Sequence, residues 1–233
     1  YINSTQKLEV SDEIIELCKK GEVKLLYIAP EKLENEFFKR KLRLLNISQI
    51  AIDEAHCVSM WGHDFRKSYG LIAEFIDNLR IRPVVTAFTA TATEVVRKDV
   101  INLLKLRNPY IYIGSFDREN LEIKLYIEED KLELVKDIIR EREGEAGIIY
   151  CATRKEVDGL YYYLKDLGYD VLKYHGGLKD SEKEFYQDEF LNENSNVMIA
   201  TNAFGMGIDK SNIRYIIHFT IPKNIEGYYQ EIG

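Results

Sequence analysis

The sequence is poor in cysteine and has no long apolar run. Its 233 residues include three cysteines (Cys18, Cys57 and Cys151), and no two of them form a C-x-x-C pair. This spacing indicates neither a disulfide framework nor a zinc site. The apolar runs are far shorter than the roughly 20 residues of a membrane-spanning helix, and no secretory signal precedes the first charges. We therefore expect a reduced, cytoplasmic protein without a membrane partner or zinc.

The chain also lacks a general positive charge. Its formal net charge is −7. Residues 1–115 carry 17 basic and 15 acidic side chains, whereas residues 116–233 carry 15 and 24. Any contact with phosphate groups would therefore have to use a local basic groove rather than a basic surface.

The sequence also lacks a phosphate-binding loop and an N-terminal methionine. No GxxxxGK[ST] phosphate loop occurs anywhere in the sequence. The chain begins at Tyr1 rather than methionine and stops at Gly233 without a polar tail. We expect it to be a segment of a longer protein.

Apolar, β-branched segments alternate with segments of helical periodicity along the chain. The predicted strands are 22–30, 47–53, 83–90, 146–151, 169–175, 196–201 and 213–219. The predicted helices are 31–45, 69–80, 92–105, 128–144, 155–168 and 179–194, and two extended pieces lie at 110–114 and 121–128. This alternation predicts an α/β fold in which parallel sheets are flanked by helices. It also predicts two domains, 1–115 and 121–233, joined by 116–120.

An acidic pair follows the apolar strand that contains "QIAI". The order is Asp53-Glu54-Ala55-His56. Ligands of open α/β sheets bind beyond the carboxyl ends of strands, and two carboxylates can converge there. One could hold Mg²⁺, directly or through water, while the other accepts a proton from an attacking water, as nucleoside triphosphate hydrolysis requires. The alternative is a pair of solvated acids at a strand end.

Polar residues and glycines follow other predicted strands. Hydroxyl, guanidinium and glycine amide groups at such positions can bind phosphates, although hydroxyls there also cap helices and each motif alone is weak. The candidate residues are Thr89, Thr91, Thr153, Arg154, His175, Gly177, Thr201, Gly207 and Asp209.

These segments together resemble the motifs of the RecQ family of ATP-dependent DNA helicases, within superfamily 2. The most specific is "DEAHCVSMWGHDFR", because that family follows its DEAH box with an aromatic-rich loop. Further segments resemble later family motifs in the expected order: "AFTATAT", "GIIYCATR", "YHGGL", "IATNAFGMGIDK" and "HFTIPKNIEGYYQEIG". The resemblance covers essentially the whole chain.

The resemblance implies two RecA-like domains, the first truncated at its N-terminus and the second inside its last motif. It implies a motor that couples Mg-ATP hydrolysis to single-stranded DNA translocation and duplex unwinding, 3′ to 5′, in DNA repair and recombination. The implied cofactors are ATP and Mg²⁺, and the implied partners are single-stranded and duplex DNA.

The resemblance also assigns roles to the residues. Asp53 would hold Mg²⁺, Glu54 would activate water and His56 would link the nucleotide site to the DNA-sensing parts. The implied coupling residues are Thr89, Thr91 and Gln230, and the implied nucleotide-binding residues are Gly207 and Asp209. The implied DNA contacts are Trp61, His63, Phe65, Arg66, Thr153, Arg154, His175, Gly177 and Thr201.

Three other functions remain open from the sequence. The first is an RNA helicase of the DEAD or DEAH type, although the aromatic loop favours DNA. The second is a non-catalytic nucleic-acid-binding module, because the phosphate loop is absent, and the third is a nucleotide-binding α/β pair of unrelated purpose. The family's phosphate loop and its final arginines would lie outside this chain, so we expect the isolated segment to bind ATP poorly and not to unwind DNA.

Overall fold

The computed structural model of the chain describes residues 1–2, 8–62, 64–115, 118–127, 130–205, 208 and 210–233. Its contacts divide the chain into two units, Tyr1–Gly114 and Ser115–Gly233.

The first unit is built around two parallel strands, β1 (Gln49–Ile52) and β2 (Val84–Ala87), in which Ile52 pairs with Ala87. The α-helices of this unit are α1 (Leu8–Lys20), α2 (Glu36–Leu42), α3 (Gly70–Asp77) and α4 (Glu94–Leu103). Short 3-10 helices occupy Pro30–Glu34, Ala55–Val58 and Lys67–Tyr69. Apolar side chains of all these helices pack with the strands into one core.

The prediction of a strand over 22–30 is wrong. Within the described residues this segment makes a single parallel bridge, between Ile28 and Ile2. Its apolar residues do alternate, since Leu25 and Tyr27 are exposed while Leu26 packs against the core. Alternation gives the segment a buried side, but a strand also needs a neighbouring backbone to share its hydrogen bonds.

The second unit contains a four-stranded, fully parallel sheet in the order β4-β5-β3-β6. Its strands are β3 (Ala146–Tyr150), β4 (Val171–Tyr174), β5 (Val197–Ala200) and β6 (Ile213–His218). Its helices are α5 (Lys131–Glu141), α6 (Arg154–Asp166), α7 (Asp180–Leu191) and α8 (Ile225–Ile232).

Both faces of this sheet are covered by helices. Side chains of α5 and α6, such as Val135 and Leu164, pack with Ile149 and Ile199 on one face. Phe190 of α7 packs on the other face. The predicted α/β class, with parallel sheets flanked by helices, is therefore confirmed. In the described parts of 106–127 there is no helix or strand, and none of the described helices is long and apolar enough to cross a membrane.

One close approach between β3 and β6 lies where their register shifts, between Ala146 and Gly147. Gly147 lies opposite Tyr215, and a Cβ at Gly147 would lie 2.1 Å from the Tyr215 ring. The Tyr215 ring is buried, so it has no room to move aside. The glycine therefore makes space for the ring that crosses over it.

We expect Gly147→Ala to lower the free energy of unfolding by roughly 1–3 kcal/mol, the usual cost of overpacking. Gly159→Ala is the matched control, because a Cβ at this exposed position in α6 meets no atom within 4 Å. The control should be as stable as the wild type, or up to about 1 kcal/mol more stable. Urea unfolding followed by far-UV circular dichroism measures both, and equal stability of the two variants would contradict the packing argument.

Candidate functional site

The carboxyl ends of β1 and β2 lie side by side. The Phe88 N–H donates to Ile52 O at 2.8 Å, and the Ala55 N–H donates to Phe88 O at 2.8 Å. These bonds continue the pairing beyond the strands, so the acidic pair after β1 and Thr89 after β2 meet at one edge.

The two carboxylates have different surroundings. Asp53 is exposed, and its Oδ1 accepts the Glu54 N–H at 2.9 Å. Glu54 has a φ of 47°, in the left-handed region that non-glycine residues seldom adopt. Such strain persists where the surrounding structure enforces it, often at functional sites. The turn directs the Glu54 side chain toward His56, whose Nδ1 lies 3.3 Å from Glu54 Oε2.

His56 connects the two strand ends. Its ring is buried, and Nδ1 lies 2.9 Å from Thr89 Oγ1. The Thr89 hydroxyl donates to Thr91 O at 3.0 Å, so its proton is already used and we assign the ring proton to Nδ1. His56 Nε2 then has no proton, and it lies 3.7 Å from Cys57 Sγ, which also lies 3.9 Å from Asp64 Oδ2. Burial raises the pKa of Cys57 to about 11, which keeps this thiol protonated.

A loop with exposed apolar side chains begins directly after this cluster. Ser59 Oγ donates to Asp99 Oδ2 of α4 at 2.6 Å and accepts the Trp61 N–H at 3.2 Å. Met60 and Trp61 are each 78% exposed. A Cβ at Gly62 would lie 2.5 Å from His56 O, so the glycine permits the loop to fold back onto the histidine. The loop thus presents the single tryptophan from a backbone fixed against His56.

The second half of the loop is held by an ion pair. Arg66 donates to Asp64 Oδ2 from Nε at 3.0 Å and from Nη2 at 2.6 Å. This hydrogen bond is the main reason that the pKa of Arg66 is raised. Phe65 is half exposed, and the predicted contact His63 lies outside the described residues. Arg66 is therefore engaged within its own loop.

The side chain of Tyr69 contacts the backbone of the acidic pair. The Tyr69 hydroxyl donates to Asp53 O at 3.2 Å. Burial raises the pKa of Tyr69 to about 12, which keeps this donor protonated.

In the second unit the predicted residues follow three neighbouring strands. Thr153, after β3, begins α6 with a capping box, in which its Oγ1 accepts the Glu156 N–H at 3.2 Å. Arg154 is the first residue of α6, and a Cβ at Gly177 would lie 3.1 Å from its Cδ. Thr201 follows the central strand β5, is buried and donates its N–H to Tyr174 O at 3.2 Å.

His175 follows β4 and organises the next turn. Its Nδ1 accepts the Gly177 N–H at 3.1 Å, so this amide is already used within the loop. Its Nε2 lies 3.4 Å from Asp158 Oδ1. The same Asp158 oxygen accepts from Lys173 Nζ at 2.6 Å.

Gln230 lies on α8 and is half buried. Its neighbour Glu231 brings Oε2 to 3.0 Å from His218 Nε2, although without hydrogen-bond geometry. Gly207 and Asp209 lie outside the described residues.

The sequence prediction missed Asp158 and Lys173. Two signals could have found them. Asp158 is four residues after Arg154, one turn along the same helical face, and a lysine inside the buried strand β4 is unusual without a partner.

Each unit thus assembles part of the predicted set. Glu54, His56 and Thr89 meet in the first unit, and Arg154, His175 and Gly177 meet in the second. Across the described residues, no group of three or more His, Cys, Asp or Glu side chains forms a metal-binding cluster. Asp53 suits Mg²⁺ nonetheless, because this ion prefers carboxylate oxygens, keeps several waters and needs one or two protein ligands.

Known protein families match residues in both units. The family model described as DEAD/DEAH box helicase matches residues 2–99, and the one described as helicase conserved C-terminal domain matches residues 130–233. The ATP-dependent DNA helicase RecQ of Bacillus subtilis is 46% identical over 100% of this chain. The chain belongs to the RecQ family. The protein of the same name from Pasteurella multocida is 40% identical, and so is the RecQ-like DNA helicase BLM of Xenopus laevis, over 97% of the chain.

The RecQ-family chain spans only part of these relatives. It covers 39% of the Bacillus protein, 37% of the Pasteurella protein and 17% of the Xenopus protein. Among solved structures, S. cerevisiae Dbp5 bound to RNA and ADP BeF3 matches 88% of the chain and 54% of its own length, with a TM-score of 0.71 and 22% identity. This match confirms the RecA-like fold of the parallel sheets.

We expect Thr89→Val to lower the free energy of unfolding by about 0.5–1.5 kcal/mol, the value of one net hydrogen bond, because the buried His56 Nδ1–H loses its 2.9 Å acceptor while Glu54 Oε2 remains 3.3 Å away. Thr89→Ser is the matched control, since it keeps the hydroxyl. Urea unfolding followed by far-UV circular dichroism measures both variants. If the valine variant were as stable as the serine variant, the hydroxyl would not hold the ring.

Proposed function

We propose that this chain supplies the motor core of an ATP-dependent DNA helicase, in which Mg-ATP hydrolysis drives movement along single-stranded DNA and unwinding of the duplex. The observation that carries the proposal is the position of His56. Its ring contacts Glu54 and Thr89 at adjacent strand ends, and its carbonyl lies against Gly62 of the exposed aromatic loop. One buried residue therefore joins a hydrolytic acid pair to a surface that can stack on bases.

The acid pair divides the hydrolytic work. Asp53, which is exposed, would hold Mg²⁺ directly or through water. Mg²⁺ supplies neutralisation of the phosphate charge when it is bound. Glu54 would accept the proton of the attacking water, and its contact with His56 Nδ1 orients the carboxylate. Thr89 would transmit a displacement of His56 to the segment after β2 through its bond to Thr91 O.

The proposed DNA contacts lie in both units. Trp61 and Phe65 would stack on bases, which is possible for any sequence because every base has an aromatic face. Arg154 and the Gly176–Gly177 turn would meet the backbone of the strand, with Thr153 and Thr201 as neighbours. His63 and Arg66 belong to the loop by sequence, and Gln230, Gly207 and Asp209 to the nucleotide site by family resemblance.

DNA is favoured over RNA as the polymer. Dbp5 is bound to RNA in its solved structure, but it is 22% identical to this chain, whereas the relatives at 40–46% identity are named DNA helicases. We propose DNA repair and recombination as the process and 3′ to 5′ as the direction of movement. We also propose a cytoplasmic location.

The two motor domains of the proposal are 1–115 and 121–233, joined by 116–120. The proposed cofactors are ATP and Mg²⁺, with no zinc in this segment.

We expect a protein extended at both ends to the length of the bacterial relatives to hydrolyse ATP in response to single-stranded DNA, and the 233-residue chain to show no such response. In the extended protein, Glu54→Gln should lower turnover by about 10²–10⁴-fold, because it removes the proton acceptor. Glu94→Gln is the control, since Glu94 is an exposed acid on α4. Phosphate release with and without DNA, and with RNA in its place, is the measurement.

One result would contradict the expectation for the isolated chain, and two would contradict the proposal itself. DNA-stimulated turnover by the 233-residue chain that Glu54→Gln abolishes would show that the segment is sufficient. Full turnover in the extended Glu54→Gln protein would remove Glu54 as the base. Stimulation by RNA alone would favour the RNA helicase.

We expect Trp61→Ala in the extended protein to lower the ratio of DNA-stimulated to DNA-free turnover, and to reduce unwinding. It should also weaken single-stranded DNA binding by about 1–3 kcal/mol, the value of one stacked base. Met60→Ala is the matched control, because Met60 is equally exposed in the same loop but has no ring. An equal fall of DNA-free turnover in Trp61→Ala would place the loop in folding or in the nucleotide site.

A further inference from the structure

We propose that Asp158 of α6 is a positioning residue, which fixes the tautomer of His175 and through it the Gly176–Gly177 turn that follows β4. Neither the motifs nor the family resemblance assigns Asp158 a role. The part of this inference that concerns DNA rests on the proposed function, whereas the part that concerns His175 does not.

The hydrogen bonds of His175 permit one neutral tautomer. Its Nδ1 accepts the Gly177 N–H at 3.1 Å, so Nδ1 carries no proton. The ring proton of the neutral form is therefore on Nε2, which lies 3.4 Å from Asp158 Oδ1. An ionised carboxylate can only accept, so Asp158 favours the same Nε2–H tautomer that leaves the Nδ1 lone pair available to Gly177.

Asp158 is itself held as a charged acceptor. The buried Lys173 donates to Asp158 Oδ1 at 2.6 Å, and its Nζ lies 3.4 Å from the Tyr162 hydroxyl. Burial by itself would raise the pKa of Asp158, but the hydrogen bonds from Lys173 and His175 outweigh it and lower the pKa. Lys173 Nζ also lies 5.0 Å and 4.7 Å from the ring centroids of Tyr161 and Tyr162. The two rings thus contact the lysine, and the lysine contacts the carboxylate.

The turn after β4 folds around the His175 ring. The Leu178 N–H donates to His175 O at 3.1 Å. A Cβ at Gly177 would lie 3.2 Å from His175 Nδ1 and 3.1 Å from Arg154 Cδ. The glycine backbone is therefore packed between the imidazole and Arg154, and a ring that changed its tautomer would repel the Gly177 N–H with its own.

The first test reads the tautomer without DNA. ¹⁵N shifts of the imidazole nitrogens, recorded on the chain above the ordinary histidine pKa of about 6.5 and assigned with His175→Gln, should show the Nε2–H form of His175. Asp158→Ala, which removes the acceptor of the Nε2–H, should weaken this preference and shift the Gly177 amide resonance. Lys173→Met should keep the preference, because it leaves Asp158 and His175 in contact, and so should Asp166→Ala, which removes an exposed acid on the same helix.

The second test measures binding of a labelled single-stranded oligonucleotide by the extended protein, followed by anisotropy. Asp158→Ala should bind about two- to tenfold more weakly than the wild type, the range of one net hydrogen bond, with Asp166→Ala unchanged. If Asp158→Ala is unstable because Lys173 loses its partner, Asp158→Ala with Lys173→Met carries the same comparison against Lys173→Met alone.

The outcomes separate the two proposals. An unchanged His175 tautomer in the Asp158 variants overturns the inference, and so does unchanged DNA affinity in variants whose tautomer has changed. If the wild type binds no DNA while the tautomer follows Asp158, the assignment of Asp158 to His175 is supported and the proposed function is contradicted.

Discussion

Parallel strand pairing is the constraint on which the candidate site depends. Parallel neighbours present their carboxyl ends at the same edge of a sheet, so residues far apart in sequence become neighbours there. In the first unit, two backbone hydrogen bonds beyond β1 and β2 bring His56 to within 2.9 Å of Thr89. In the second unit, the order β4-β5-β3 places His175, Thr201 and Thr153 after three adjacent strands. Neither group of side chains could form if one strand of the pair were reversed.

In both units, a buried histidine just after a strand contacts the loop that follows. His56 takes its acceptors from Thr89 and Glu54, and its carbonyl lies where Gly62 must pass. In His175, Asp158 is the acceptor for Nε2–H, and Nδ1 accepts the Gly177 N–H. The nitrogens have opposite roles in the two rings, because Nδ1 donates in His56 and accepts in His175. Each tautomer is set by the neighbour that has no proton to give.

The sequence predicted those features that depend on local pattern and strand direction. Alternation indicated the parallel α/β class, and strand ends indicated Glu54, His56, Thr89, Arg154 and Gly177. The misassigned strand at 22–30 shows the limit of alternation, because pairing depends on a second backbone that the segment itself does not specify. Helices α1 and α8 were also missed, although Asn224 caps α8 by accepting the Gly227 N–H at 2.8 Å, a signal that sequence does carry.

The Asp158–Lys173 pair could not be read as a motif for a different reason. Its partners come from a helix and a strand whose contact is set by packing, and no fixed spacing marks such a pair. Its sequence signal is the lysine in β4, a charge that burial would penalise unless a carboxylate met it. Sequence identifies the residue that needs a partner, whereas the fold identifies the partner.

The charge balance explains why such positioning matters for the proposed DNA contact. Residues 116–233 carry 15 basic and 24 acidic side chains, so long-range attraction does not draw a polyanion to this unit. Lys173 is neutralised by Asp158, and Arg66 in the first unit by Asp64. Within the described residues Arg154 makes no ion pair. The net negative charge of this unit opposes the attraction of a polyanion, so the proposed contact depends more on groups held in the right geometry. In the proposed DNA contact, the acidic second unit would therefore depend on Asp158 and His175 to order the turn after β4.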